Sequence, residues 1–345
     1  MVVEARASTQ QERPPRRLAL ARLLADGRFH SGEALAADLG VSRAAVWKHV
    51  REMSAELGLK VDAVRGRGYR LAAPIDLLDR TRIADALAPA TAQALAGLIV
   101  LDAVGSTNGH LMGQRLPRSG LGIACVAEQQ TAGRGRRGRT WVSPFGANVY
   151  LSLLWQFELP AVALAGLSLA VGVAVAEALR RLGVADAALK WPNDLLWRGR
   201  KLGGILVELS GEAEGPTRAV VGVGVNHRMP AASAALIDQD WTDLAGAVPH
   251  ALPSRCALVA GLLDRLVAAM RQFGASGLAP FLPAWDELDG LRGMEVVVRI
   301  GDRAVTGKEL GVAPSGALRL LTDEGERQYL AGEVSVRAAP PESAS

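Results

Sequence analysis

Cysteine is scarce in this chain. Its two cysteines, Cys125 and Cys256, stand 131 positions apart in apolar surroundings, which excludes a disulfide scaffold and a Cys-rich zinc site. Two buried thiols in a reducing compartment are expected instead. The apolar core of a signal peptide is also missing: the chain opens Met1-Val2-Val3-Glu4-Ala5-Arg6 and then turns polar, which points to a cytoplasmic protein. There is no Gly-Lys-Ser/Thr ending of a Walker-type loop, no HExxH helix and no Cys/His ligand set. No Ser/His/Asp order is evident either, so P-loop, zinc and triad-hydrolase chemistry are all disfavoured. Charge is absent from the 18 residues 159–176, which meets the crude length of a membrane span. Half of those positions are Ala, Gly or Ser, however, and the run passes directly into Glu177-Ala178-Leu179-Arg180-Arg181. Small residues suit a helix lying close against a sheet, so a buried helix and no membrane contact are expected.

What is present is enough for several cores. With 345 residues, 49% hydrophobic and 21% charged, wholesale disorder is excluded, and two or three domains of about 100–200 residues each are expected. The formal charge of +4 is unevenly spread. Residues 1–75 hold 13 Lys/Arg against 8 Asp/Glu, a net of +5, while the rest hold 26 against 27, a net of −1. A small basic domain at the start of the chain is the footprint of a polyanion binder.

That basic segment has a pattern. Leu18, Leu20, Leu23 and Leu24 recur at helical spacing before Gly27. Ser31 can cap a second helix that Gly40 stops, and Ser42 a third, with Val46, Val50, Met53 and Leu57 as its buried stripe. Arg43, Ala44, Trp47, Lys48 and Arg51 then project outward from a helix-turn-helix spanning about 32–51. Val64-Arg65-Gly66-Arg67-Gly68-Tyr69-Arg70-Leu71 follows, a hairpin wing whose Arg65 and Arg67 can meet phosphates. Ala72-Ala73-Pro74-Ile75 resembles a linker into a new domain.

From about residue 78 to 288 the chain alternates strand-like stretches (98–103, 122–127, 149–154, 188–191, 204–209, 219–225) with helix-like ones (82–87, 107–116, 161–182, 254–273), a mixed α/β domain. Gly133-Arg134-Gly135-Arg136-Arg137-Gly138-Arg139 matches G-x-G-x-x-G. A dinucleotide loop must enter a helix at once, and the Trp141-Val142-Ser143-Pro144-Phe145-Gly146 that follows cannot be one, so the Rossmann reading is rejected. A glycine loop with packed guanidinium groups remains, expected to be mobile until an anion folds it. Lys190-Trp191-Pro192-Asn193-Asp194, Arg200-Lys201 and Gly222-Val223-Gly224-Val225-Asn226 place cations, amides and an acid at strand ends. Such a set suits a nucleotide and its Mg²⁺. Residues 290–337 alternate around Gly301-Asp302 and Asp323-Glu324-Gly325, the pattern of a small all-β barrel. The first 14 residues and the tail 338–345 are expected to be disordered.

With these motifs in this order, the chain resembles the bifunctional biotin–protein ligases, the BirA type, which also repress the biotin biosynthetic operon. The resemblance covers nearly all of residues 18–336 and is densest at Ser106-Thr107-Asn108, Gln130 through Gly138, Trp141 to Asn148, Lys190 to Asp194, Arg200 to Glu208 and Gly222 to Asn226. It implies a winged helix-turn-helix over 15–73, a central mixed α/β ligase domain of the class II synthetase-like kind over 78–288, and a C-terminal SH3-like barrel over 290–337. It also implies two steps: biotin and ATP give biotinyl-5′-AMP and pyrophosphate, and a lysine of a biotin carboxyl carrier protein then takes the acyl group. By carry-over, Ser106, Thr107, Asn108 and Gln130 line the biotin pocket, and Gly133, Arg134, Gly135 and Arg136 form the loop that closes on ligand. Lys201 sits by the biotin carboxylate. Lys190, Asn193 and Asp194 serve the triphosphate, with Asp194 as a Mg²⁺ ligand; Asn226 and Trp241 serve the adenylate. Lys201, Lys190 and Arg136 are the catalytic group. Operator DNA and a ligand-promoted homodimer complete the implied partners. Gly203 stands where many relatives have Ala, and Trp47 makes the operator sequence unpredictable from analogy. The alternatives are a ligand-sensing DNA-binding regulator without ligase activity, a ligase whose N-terminal module no longer binds DNA, and a lipoate or octanoate transferase.

Overall fold

The structure, a computed structural model, describes residues 15–116, 120–211, 214–300, 302–330 and 334–338. The extension expected at 1–14 lies outside the described residues, as does the expected tail beyond residue 338.

Three helices, α1 (Arg16–Leu24), α2 (Gly32–Leu39) and α3 (Arg43–Leu57), pack around Leu20, Leu24, Leu35, Val46 and Met53. The caps act as the sequence implies. Ser31 Oγ accepts from Ala34 N at 3.1 Å, Ser42 Oγ accepts from Ala45 N at 3.3 Å, and Gly40 ends α2 in the left-handed conformation. The wing is the antiparallel pair β1 (Val61–Val64) and β2 (Gly68–Leu71). Gly68 combines φ +100° with a position where a Cβ would run into the His30 carbonyl, so no other residue fits that corner. Phe29 receives the Arg67 and Arg70 guanidiniums at 4.1 and 4.7 Å from its ring centre, tying the wing to the helices.

The segment read as a linker is in fact pinned. Ile75 N donates to Ala25 O at 2.8 Å, and Leu78 N donates to Glu128 Oε1 at 2.6 Å. Glu128 and Arg255, both 0% exposed, form an ion pair at 2.5 Å. Arg255 also donates to Asn148 O (2.6 Å) and Asp76 O (3.1 Å), while Asp76 Oδ2 accepts from Arg255 N (2.6 Å). A buried charge pair is tolerated only when such bonds replace the lost water. Phe145, from the central domain, completes the core of the helix-turn-helix, and Arg22 pairs with Asp102 across the same junction.

The central sheet contains β3 (Leu95–Leu101), β4 (Gly122–Ala127), β5 (Val149–Phe157), β6 (Ala187–Lys190), β7 (Asp194–Trp197), β8 (Arg200–Gly211) and β9 (Thr217–Val225). Their order is β3-β4-β5-β9-β8-β7-β6, parallel only between β3 and β4. The strand β7, only four residues long, had no counterpart in the sequence reading. The helix expected over 161–182 is broken: Gly166, at φ +82°, separates a 3₁₀ turn (Ala161–Leu164) from the helix Leu167–Arg181. By length and hydropathy Ala161–Arg181 is able to cross a membrane. Eleven of the fifteen residues of Leu167–Arg181 are buried in the core of the protein, with helix Arg255–Ser276 alongside. Both cysteines are buried, as expected, and burial pushes the Cys125 thiol up to about 12.

The last segment forms one antiparallel sheet, from β10 (Glu295–Ile300), β11 (Arg303–Val312), β12 (Leu318–Thr322), β13 (Gly325–Tyr329) and β14 (Val334–Ala338), in the order β13-β12-β11-β10-β14. It shares a single hydrophobic core with the central domain: Val296, Val298, Leu318 and Leu320 join Trp285, Leu288 and Leu291. At that junction lie two acids, the half-buried Asp289 and Glu309, the latter 1% exposed. As carboxylates they offer only acceptors, and Glu309 Oε1, Oε2 and Asp289 Oδ2 find no donor. A proton held between them resolves the mismatch. Burial, then the facing Asp289, pushes the Glu309 carboxyl up to about 8, against the opposing pull of Arg292 and Lys190. Burial likewise raises Asp289, helped by Asp286. A folded-state pKa above the ordinary glutamate value means stability that is full in acid and lost as pH rises toward 8. Glu309→Gln should therefore melt several degrees higher than the parent at pH 9, with the difference shrinking by pH 5; parallel melting curves at both pH values would contradict this.

Candidate active site

A cavity of about 540 Å³ opens over β5, β8 and β9, roofed by the arginine loop and by residues 236–241. Every small-molecule site residue expected from sequence lines it except Gly133. Gly133 instead packs against Trp141 O and Ser143 Oγ, where a Cβ would come within 2.6 and 2.7 Å.

One end of the cavity is a network of hydroxyls and amides that ends on an ion pair. Ser106 caps the short helix Thr107–Met112, which brings Thr107 and Asn108, each 3% exposed, over the sheet. Thr107 N and Oγ1 donate to Gln130 Oε1 at 2.9 and 3.1 Å. Ser152 Oγ lies 2.7 Å from Thr107 Oγ1 and donates to Asn108 Oδ1 at 2.5 Å. Asn108 Nδ2 donates in turn to Glu208 Oε2 at 2.8 Å, and Glu208 pairs with Arg134 at 3.2 Å. Glycines make room for this: a Cβ at Gly222 would collide with the Asn108 amide, and one at Gly224 would stand 2.7 Å from the Trp141 ring.

The other end is charged. Asp194 Oδ1 accepts from Lys201 Nζ at 2.8 Å, and Oδ2 lies 3.2 Å from Lys190 Nζ. Burial alone would raise the Asp194 pKa, but the Lys201 and Lys190 ammoniums outweigh it and hold the carboxyl below its usual value. The two lysines are thus aligned by one carboxylate, facing the cavity together. Asn193 donates through Nδ2 to Ile205 O (2.9 Å) and accepts at Oδ1 from Arg136 Nη1 (3.2 Å). Lys201 is paired through its backbone with the segment carrying Trp241: Lys201 N donates to Asp240 O at 3.0 Å, and Thr242 N to Lys201 O at 2.9 Å. Asn226, 3% exposed, donates through Nδ2 to Thr242 O at 3.0 Å, which holds that segment from below.

The arginine loop is a hairpin. Gly135 N donates to Arg139 O (2.7 Å) and Trp141 N to Gly133 O (2.9 Å), while Arg137 (φ 58°) and Gly138 (φ 69°) turn the tip in the left-handed region. Burial, then the Arg137 and Arg139 guanidiniums, depress the Arg136 guanidinium against the opposing pull of Asp194.

Asp194 does not fit the role of Mg²⁺ ligand expected from the resemblance. Both its oxygens are taken by ammonium groups, and no cluster of three or more His, Cys, Asp or Glu able to hold a metal occurs among the described residues. A divalent cation there would face two positive charges for one negative.

Sequence reasoning missed Ser152, Glu208 and Trp141 as site residues. Ser152 is the one small hydroxyl inside the apolar run of β5, a signal that was legible. Trp141 carries Lys201 Nζ at 5.7 Å from its ring, and its buried indole N–H has no partner. A buried donor facing a cavity is a place for a ligand acceptor. Arg43, Ala44, Trp47, Lys48, Arg51, Arg65 and Arg67 are all exposed on the helix-turn-helix and wing.

Residues 106–226 match the Biotin/lipoate A/B protein ligase family, 16–70 an HTH domain, and 293–337 the biotin protein ligase C-terminal domain. The chain is 43% identical over 322 residues to the bifunctional ligase/repressor BirA of Salmonella typhimurium, spanning 93% of this chain and 98% of that one. It is 35% identical over 218 residues to the biotin–[acetyl-CoA-carboxylase] ligase of Paracoccus denitrificans, covering 61% and 88%. Among solved structures it is similar to the biotin protein ligase from Aquifex aeolicus in complex with biotin and ATP. There the TM-score is 0.60 and the identity 30%, with 70% of this chain and 99% of that one covered. With a ligase cavity, a helix-turn-helix and a C-terminal sheet in one continuous match, the chain belongs to the biotin protein ligases of the bifunctional ligase/repressor kind.

Proposed function

We propose that the cavity joins biotin to AMP and passes the acyl group to a lysine of a biotin carboxyl carrier protein, and that occupancy governs operator binding by the helix-turn-helix. The observation that carries this reading is the convergence of Lys190 and Lys201 on Asp194, between a pocket lined by hydroxyls and amides and an arginine strap. The Thr107–Gln130–Ser152 end suits a small polar head flanked by apolar surface, as the ureido ring of biotin is. In the first step the biotin carboxylate attacks the α-phosphorus of ATP, the acyl–phosphate bond forms and pyrophosphate leaves. Two anions must approach, and Lys201, Lys190 and Arg136 lower that barrier by charge and position rather than by covalent chemistry. In the second step the neutral carrier amine attacks the acyl carbon, AMP leaves and the amine sheds a proton. The strap, closing over the mixed anhydride, excludes the water that would hydrolyse it.

The intact lysine–aspartate centre favours a ligase over a regulator that only senses ligand. Asp194, neutralised by lysines, supports no protein-held Mg²⁺, so any magnesium would arrive as a counterion of the triphosphate. A cytoplasmic setting accords with two reduced, buried thiols. Ligand-promoted dimerisation would bring two helix-turn-helix units to one operator; equal sedimentation with and without the adenylate would exclude it. The deciding assay for the chemistry is biotin-dependent exchange of labelled pyrophosphate into ATP, followed by labelling of a carrier domain. Exchange and transfer are both expected, and their absence in folded protein would overturn the reading.

A further inference from the structure

Of the seven tryptophans in the chain, Trp47 alone is exposed, at 54%. It lies on the outward face of α3, among Arg43, Lys48 and Arg51. An indole left in water on a basic helix gains nothing for the fold, whose core is complete beneath it at Val46, Val50 and Met53. It is not alone, however: the Arg51 guanidinium lies over its ring, 4.8 Å from the centroid. The neighbouring carboxylate is otherwise engaged. Glu52 takes Lys48 at 3.8 Å and His49 Nδ1 at 3.1 Å, and among the described residues no carboxylate is paired with Arg51. Trp47 and Arg51 therefore stand together, an apolar plate with a guanidinium over it.

We infer that this pair reads a thymine next to, or one base pair removed from, a guanine in the operator. The inference rests on the repressor reading and adds to it the bases recognised. In the major groove the guanidinium finds its two-point match in guanine O6 and N7, and the only apolar group on a base edge is the thymine methyl. Stacking on an aromatic ring restricts the guanidinium plane, so less freedom is lost when it makes both bonds. Residues four apart on a helix are separated by about 6 Å along its axis. With about 3.4 Å per base pair, the two side chains fall within about two base pairs of each other. Arg43 and Lys48 beside them, and Arg65 and Arg67 on the wing, supply the charge complementarity for the backbone, which marks the occupant as a duplex.

The test uses the full chain with biotin and ATP, in selection from a randomised duplex pool. The wild type is expected to enrich a thymine within two base pairs of a guanine. Trp47→Ala should lose the thymine preference, and Arg51→Ala should lose the guanine with about ten- to a hundred-fold weaker binding. A duplex with uracil in place of the selected thymine removes only the methyl group. It should bind the wild type about four- to ten-fold more weakly and Trp47→Ala no differently. Because the uracil comparison is made on unaltered protein, a variant that folds poorly cannot decide the matter. Equal wild-type affinity for thymine and uracil duplexes would overturn the assignment, as would an unchanged selected sequence for Trp47→Ala; either result would leave the indole to a protein contact. A wild-type chain that enriches no sequence would refute the repressor reading itself, and the pair's role with it.

Discussion

Lys201→Met should lower the rate of biotin-dependent pyrophosphate exchange by about 10²- to 10³-fold, the usual cost of removing one preorganised group that meets developing charge. Methionine keeps the length of the stem beside Trp141, so packing is preserved while the ammonium is lost. Asp194 keeps Lys190, 3.2 Å away, and is therefore not stranded. The effect should appear in turnover more than in melting temperature. A normal exchange rate would remove Lys201 from the reaction, and a rate loss matched by unfolding would make it a structural residue. The distinction is sharp because Lys201 has two partners of different kinds: a carboxylate that aims it and an aromatic face beside it.

Arg255→Met should cost about 3–5 kcal/mol of stability, because it leaves Glu128 buried and unpaired and strips donors from Asn148 O and Asp76 O. A fall in melting temperature of roughly 10 °C or more is expected. The double variant Arg255→Met with Glu128→Gln should recover part of the loss, since it no longer strands a charge; a double variant less stable than the single one would show that the pair is not the cause. The site lies between the helix-turn-helix and the ligase cavity but touches neither ligand, so stability rather than turnover is the quantity to measure.

Much of the fold was legible because it rests on local rules. The serine caps at 31 and 42, the left-handed Gly40 and the Val46–Leu57 stripe each depend on residues a turn or two apart. What escaped depends on register between distant strands. Ser152 reaches Thr107 only because the helix Thr107–Met112 packs across β5, and the sequence around Thr107 does not announce that partner. The strand β7 is short and begins with a charged residue, so alternation had no length in which to show. Gly166 breaks a helix that composition alone made continuous, through its left-handed backbone, and Leu278, over a hundred residues away, fills the space a side chain there would need. The lysines at 190 and 201 were legible as strand-end cations. That one aspartate would hold both, and so be unsuited to a metal, was not.

Phe145 carries a further consequence. It lies four residues beyond Trp141, in the run that leaves the arginine strap, and plugs the core of the DNA-reading domain. Cutting away the N-terminal reader would strip the cover from this ring and from Ile75 and Leu77, turning a sealed seam into a greasy socket. Swapping readers between such enzymes thus calls for transplanting the plug together with its lining, and a ligase trimmed without regard to it should be prone to self-association.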